Sequence, residues 1–113
     1  GKTSLKSIYR LKKNYQYNYV YKHAKSVGDR NFLILYCTSN ISQSKVGFSV
    51  SKKYGGAVER NRIRRQMKAV MATLMPQVKG GFNLVVIPRK SEPYLHKDIV
   101  LSLTKLLKRA ELV

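Results

Sequence analysis

Acid is what this sequence holds least of. Its 113 residues include 5 Asp+Glu against 23 Lys+Arg, for a formal charge of +18. Total charged content, 25%, is ordinary, and only the balance of sign is unusual. Five scattered carboxylates give a two-metal nuclease centre little to work with, since most of them would have to converge. Tryptophan is absent and cysteine occurs once, at Cys37. A lone cysteine forms no internal disulfide and no cysteine-rich zinc site. Set in an apolar run, it reads as a buried, unreactive thiol. Apolar runs are short: the longest, around residues 32–37, is strand-sized and far below the ~20 residues of a membrane span. No Gly-rich phosphate loop ending in Lys-Ser/Thr is present. His23 and His96 each stand beside a lysine and read as surface residues. The expectation is a cytoplasmic, soluble chain that breaks no bonds with its own side chains.

What is present is a core. At 43% hydrophobic, the chain is no disordered polycation, and residues 1–113 read as one domain with a basic arm over residues 1–13. Self-repulsion at +18 works against the compact state, and a polyanionic partner relieves it. Nucleic acid is therefore the leading partner before any motif is considered.

The arm carries five basic residues and no acid, with Leu5, Ile8 and Leu11 spaced to dock on the body. Asn14 can cap a short helix in which Tyr17, Val20, Tyr21 and Ala24 share one face. Tyr15 and Tyr19 lie on another face, and Gly28-Asp29 closes the segment as a turn. Residues 31–38 are apolar on both parities, the mark of a strand covered on both sides. Residues 45–51 alternate: Val46, Phe48 and Val50 point one way, and Gly47, Ser49 and Ser51 the other. That small-residue face is either solvated or the floor of a groove. Tyr17 and Tyr21 are likewise either core aromatics or platforms for unpaired bases.

After the basic loop Lys52-Lys53-Tyr54-Gly55-Gly56, the pattern predicts a helix from about Ala57 to Met75, stopped by Pro76. Ile63, Met67, Val70, Met71 and Leu74 form its apolar stripe. At about 100° per residue, Asn61, Arg62, Arg65 and Lys68 fall on the outward side, with Arg60 and Arg64 flanking the stripe. A solvated helix usually interleaves acids with its cations, and here only Glu59 does so. Arginine forks grip phosphate oxygens, and asparagine can read a base or a 2′-hydroxyl. Residues 82–87 read as a buried strand, Ser91-Glu92-Pro93 as a helix start, and Ile99, Leu103, Leu106, Leu107 and Ala110 as the face of a last helix. This order predicts an α+β fold with helices packed on a sheet.

The run VGFSVSKKYGGAVERNRIRRQMKAV, residues 46–70, resembles the signature of the bacterial ribonuclease P protein subunit. The matching core is Ser-Val-Ser-Lys-Lys-x-Gly, then Ala-Val, then Arg-Asn-Arg. Supporting matches are Leu11-Lys-Lys-Asn14, the aromatics Tyr17 and Tyr21, Lys25-Ser26-Val27 and Ile87-Pro-Arg89. The resemblance implies a two-layer α+β sandwich, a mixed sheet of about four strands with about three helices. It also puts the central basic helix in a left-handed β-α-β crossover, against the usual right-handed rule.

By the same resemblance the partners are a catalytic RNA and precursor transfer RNA, with no membrane or DNA partner. Removal of the 5′ leader is done by the RNA and Mg²⁺ bound at its active site, and no metal is expected on the protein. Lys52, Lys53, Arg60, Asn61, Arg62, Arg64, Arg65 and Lys68 would face the catalytic RNA and the cleavage site. Tyr17, Tyr21, Leu35, Gly47, Ser49 and Ser51 would form the cleft for the single-stranded leader, which turns the open readings of the Gly/Ser face and the tyrosines toward binding. The chain departs from the family pattern in three places. Tyr replaces a frequent Phe at 17 and 21, Leu35 or its neighbour Tyr36 must stand in for an aromatic, and Gly56 replaces Asn in a loop that should be looser. The competing class is a structural RNA-binding protein of the ribosomal type, with no part in catalysis.

Overall fold

A computed structural model of the chain describes residues 5–89 and 93–113. Among the described residues, three α-helices and four strands follow in the order α1 (Asn14–His23), β1 (Lys25–Gly28), β2 (Phe32–Thr38), β3 (Lys45–Phe48), α2 (Ala57–Leu74), β4 (Phe82–Pro88) and α3 (His96–Arg109). The sheet order is β1-β2-β4-β3. β1 and β4 run antiparallel to β2, while β3 runs parallel to β4, so α2 is the crossover between parallel neighbours. The predicted α+β class and mixed sheet are what the chain adopts.

Alternation along the strands sends their side chains to two different packing layers. Phe32, Ile34, Val46, Leu84 and Val86 meet α2 and α3 in the main core, joined by Ile63, Met67, Met71, Ile99, Leu103, Leu106 and Leu107. All five apolar positions read from the α2 periodicity are buried. On the opposite face Leu11, Val20 and Val85 form a smaller cluster, with Tyr17, Ala24, Leu35, Cys37 and Ile87 partly buried around it. α1 rests on this second face, with Val20 as its fully buried contact.

The arm is tied down at the free edge of β3. Leu5 and Leu11 are buried while Ile8 stays exposed. The Leu11 N–H donates to the Val46 carbonyl at 3.0 Å, and Arg10 bridges to Val46 in parallel sense. The arm thus covers an edge that would otherwise present bare backbone groups.

Local details depart from the sequence reading in four places. Asn14 is the first helical residue rather than the cap: Gln16 reaches back so that its Oε1 accepts the N–H groups of Lys12 and Lys13 at 3.1 and 3.0 Å. α1 ends at His23, and residues read as helix tail and turn form β1 instead. β3 is shorter than the alternation, although the Ser49 N–H still donates to the Val86 carbonyl at 3.1 Å, so the ladder continues one residue further. α3 begins at His96, and the expected Ser91-Glu92-Pro93 start lies largely outside the described residues.

Two polar devices fix the sheet ends. The Asp29 Oδ1 accepts the N–H groups of Asn31 and Phe32, both at 2.8 Å, shaping the β1–β2 turn. Its Oδ2 faces the Lys105 ammonium at 3.4 Å. At the other end the buried Ser44 hydroxyl donates to the Lys79 carbonyl and accepts the Phe82 N–H at 3.0 Å. Gly81, with φ of 88°, supplies the left-handed turn into β4 that a side chain would strain.

Candidate nucleic-acid interface

The strand registers show how the site floor is made. Leu35, Val85 and Gly47 lie in one row across β2, β4 and β3, on the face that α1 covers. Beside it run Leu33 and Ile87, and on the other side Cys37, Asn83 and Lys45. Val20 sits over the middle row, so α1 lies across the strands and leaves the flanking rows to either side.

Tyr17 reaches from α1 onto β3. Its Oη accepts the Phe48 N–H at 3.3 Å, and its ring lies so close to Gly47 that any Cβ there would overlap it. Gly47 is glycine for this approach. Burial pushes the Tyr17 phenol above its ordinary value, although the Phe48 N–H and the charges of Arg10 and Arg64 pull the other way. The phenol is therefore neutral at physiological pH. Its oxygen is already an acceptor for Phe48, so its own hydrogen is left to donate. Tyr21 stands one turn on, with its ring centroid 6.4 Å from that of Tyr17, tilted by 43° and 47% exposed.

Leu35 packs on the face that α1 covers, while Tyr36 packs against the main core. The floor position is thus aliphatic, and the adjacent aromatic does not replace it. Ser49 keeps the parity of Gly47 through its bond to β4, whereas Ser51 precedes the short turn Lys52–Tyr54, its carbonyl accepting the Tyr54 N–H at 3.1 Å. Tyr17 and Leu35 thus lie on the sheet face that α1 covers, with Tyr17 seated on Gly47, Tyr21 exposed one turn along and Ser49 next along β3.

The cations of α2 form the adjoining edge. Arg62, Arg65 and Asn61 are exposed, with Arg60, Arg64 and Lys68 partly so. Arg64 donates to the Asn61 Oδ1 at 3.2 Å, and Arg60 to the Gly55 carbonyl at 3.3 Å. Glu59 forms no ion pair with them; its Oε1 accepts the Gly56 N–H at 3.0 Å and closes the helix N-terminus. That bond also holds the loop expected to be loose at Gly56. The one ion pair among the described residues, Lys105–Asp29, lies at the β1–β2 turn and away from α2. Tyr54, buried under Arg62, has its phenol pushed up by that burial, with the Arg62 charge opposing. The charges of Arg64 and, from the arm, Arg10 both act on the Tyr17 phenol, which sets these two cations within electrostatic reach of the ring. Arg10 was not singled out by the sequence reading.

Cys37 is half-buried with its thiol pushed up by burial, and His23 and His96 are exposed. No three His, Cys, Asp or Glu side chains converge among the described residues.

The family model described as Ribonuclease P matches residues 5–111 of this chain. The chain belongs to the ribonuclease P family. Curated members include the ribonuclease P protein component of Clostridioides difficile, 41% identical over 105 residues covering 90% of this chain and 91% of that protein. The component from Finegoldia magna is 37% identical over 102 residues, covering 89% of each. Among solved structures of the family, the RNase P protein of Staphylococcus aureus superposes with a TM-score of 0.82 at 32% identity, covering 92% of this chain and 96% of that one. The RNase P protein from Thermotoga maritima gives 0.80 at 30% identity, covering 88% and 96%. The ribonuclease P resemblance read from residues 46–70 therefore extends over almost the whole fold.

Proposed function

We propose that this chain is the protein subunit of ribonuclease P, binding a catalytic RNA through α2 and the single-stranded 5′ leader of precursor transfer RNA in the Tyr17/Gly47 cleft. The observation that carries this reading is the Tyr17 ring seated on Gly47, with Tyr21 exposed beside it, on the strand that leads into the cation helix. A purely structural RNA binder needs a cation edge, but it has no use for an aromatic pair held next to it. Arg60, Asn61, Arg62, Arg64, Arg65 and Lys68, with Lys52 and Lys53 on the preceding turn, screen phosphate repulsion between the two RNAs. Leader bases stack on Tyr17 and Tyr21, each worth about 1–3 kcal/mol. The Tyr17 hydroxyl hydrogen and Ser49 address the sugar-phosphate backbone. Hydrolysis belongs to the RNA and the Mg²⁺ it holds, and the protein contributes affinity and orientation.

The deciding measurement is affinity for precursor against mature transfer RNA with catalytic RNA present, together with cleavage at low Mg²⁺ with and without the protein. Tighter precursor binding and stimulated cleavage are expected. Equal affinities and no stimulation would instead identify a structural RNA-binding protein.

A further inference from the structure

α1 has two aromatic flanks, and the cleft uses one. With Val20 facing the sheet, Tyr17 and Tyr21 sit about 60–100° to one side of it, and Tyr15, Tyr19 and His23 about 60–140° to the other. Tyr15 and Tyr19 are 70% and 51% exposed. The Tyr19 and His23 rings lie together, centroids 4.3 Å apart and tilted by 38°. Below them, over the Cys37–Asn83 row, a groove of about 450 Å³ runs between Tyr15 and Tyr19 and the loop at Ser39 and Asn40. It continues past Tyr19 and Thr38 into a second hollow of about 200 Å³ beside His23, Lys25 and Phe82. No acid lines either hollow.

We infer that this groove is a second binding site for unpaired RNA bases, and that its occupant is the part of the leader lying beyond the nucleotides held in the cleft. Two exposed tyrosines standing over a hollow offer π-faces that serve any base, while Asn40, Asn83 and Gln16 offer amide donors and acceptors at the same level. A hydrophobic protein segment would leave those amides unsatisfied. The two sites share α1 as a common wall, so one strand leaving the cleft passes over a single helix to reach the groove. This inference rests on the leader reading above and deepens it.

The test compares precursor transfer RNAs with leaders of about four and about twelve nucleotides, bound to the assembled protein and catalytic RNA. With the native protein the long leader is expected to bind more tightly. Tyr15→Ala/Tyr19→Ala should abolish that increment, a loss of roughly tenfold or more, and leave the short leader unchanged. Tyr15→Phe/Tyr19→Phe should retain it, because stacking needs the ring and not the hydroxyl. A 4-thiouridine in the distal half of the long leader should cross-link to the α1 flank at Tyr19. The inference is overturned if the native protein shows no increment, if the alanine pair weakens both leaders equally, or if the cross-link maps elsewhere. Failure of the cleft itself looks different: Tyr17→Ala would leave short-leader affinity unchanged while the increment from the long leader persisted.

Discussion

Tyr17 and Gly47 work as one unit. The phenol is anchored by the Phe48 N–H, and the ring occupies the volume a Cβ at position 47 would take. Gly47→Ala must therefore push the ring away or bend β3, at an expected cost of about 1–3 kcal/mol in stability. Tyr17→Ala removes the obstruction along with the ring. In a double-mutant cycle by urea denaturation, the pair should lose less than the two single variants summed. Strict additivity would mean that the close approach carries no energy. Tyr17→Phe separates the two roles, giving up one hydrogen bond worth about 0.5–1.5 kcal/mol while preserving the stacking face. These two residues are 30 positions apart in sequence, which is why the alternation of β3 left the purpose of its small-residue face open.

At the scale of elements, the proposed RNA contact falls to α2. If it neutralises about four phosphates, log affinity for RNA should fall with log salt at a slope of roughly −3 on single-stranded scaling. Arg60→Ala, Arg62→Ala and Arg65→Ala should each flatten that slope by somewhat less than one unit, read from binding isotherms across a salt series. Slopes unchanged in all three would remove α2 as the contact. This helix was the most legible part of the sequence, because one-sided burial imposes a 3.6-residue period and its five apolar positions obey it. β1 was illegible for the opposite reason. Its four residues have one buried apolar side chain, Val27, and it is a strand only because Lys25, Ser26, Val27 and Gly28 find partners on β2. The two flanks of α1 were half visible. The tyrosine faces of α1 follow from spacing, but the sheet rows that floor them come from strands with no sequence proximity to the helix.

For the molecule as a whole, the scarce acid matters as much as the abundant base. Asp29 closes the β1–β2 turn, and Arg89 and Arg109 donate to the backbone carbonyls of Asp29 and Gly28 at 3.0 and 3.1 Å. Burial would raise the Asp29 carboxyl, but the N–H groups of Phe32 and Asn31, with Ser102 and Lys105, outweigh it and hold the group below its ordinary value. A lowered native pKa means that the unfolded chain takes up the proton first. The stabilisation is therefore full above the ordinary carboxyl range, near about 3.9, and drains as pH falls through the native value. Asp29→Asn should cost about 1–3 kcal/mol at neutral pH in urea denaturation, with the gap to the native protein narrowing on acidification. A gap independent of pH would show that the charge plays no part.

The parallel β3–β4 pair also orders events in time. These strands cannot meet until the chain between them has folded back as α2, and such non-local pairing is slow to form. The row that seats α1 needs Gly47 beside Val85, so it closes only after the crossover helix is in place. The crossover and the seat of α1 are thus coupled, and loosening α2 loosens the strand against which Tyr17 packs.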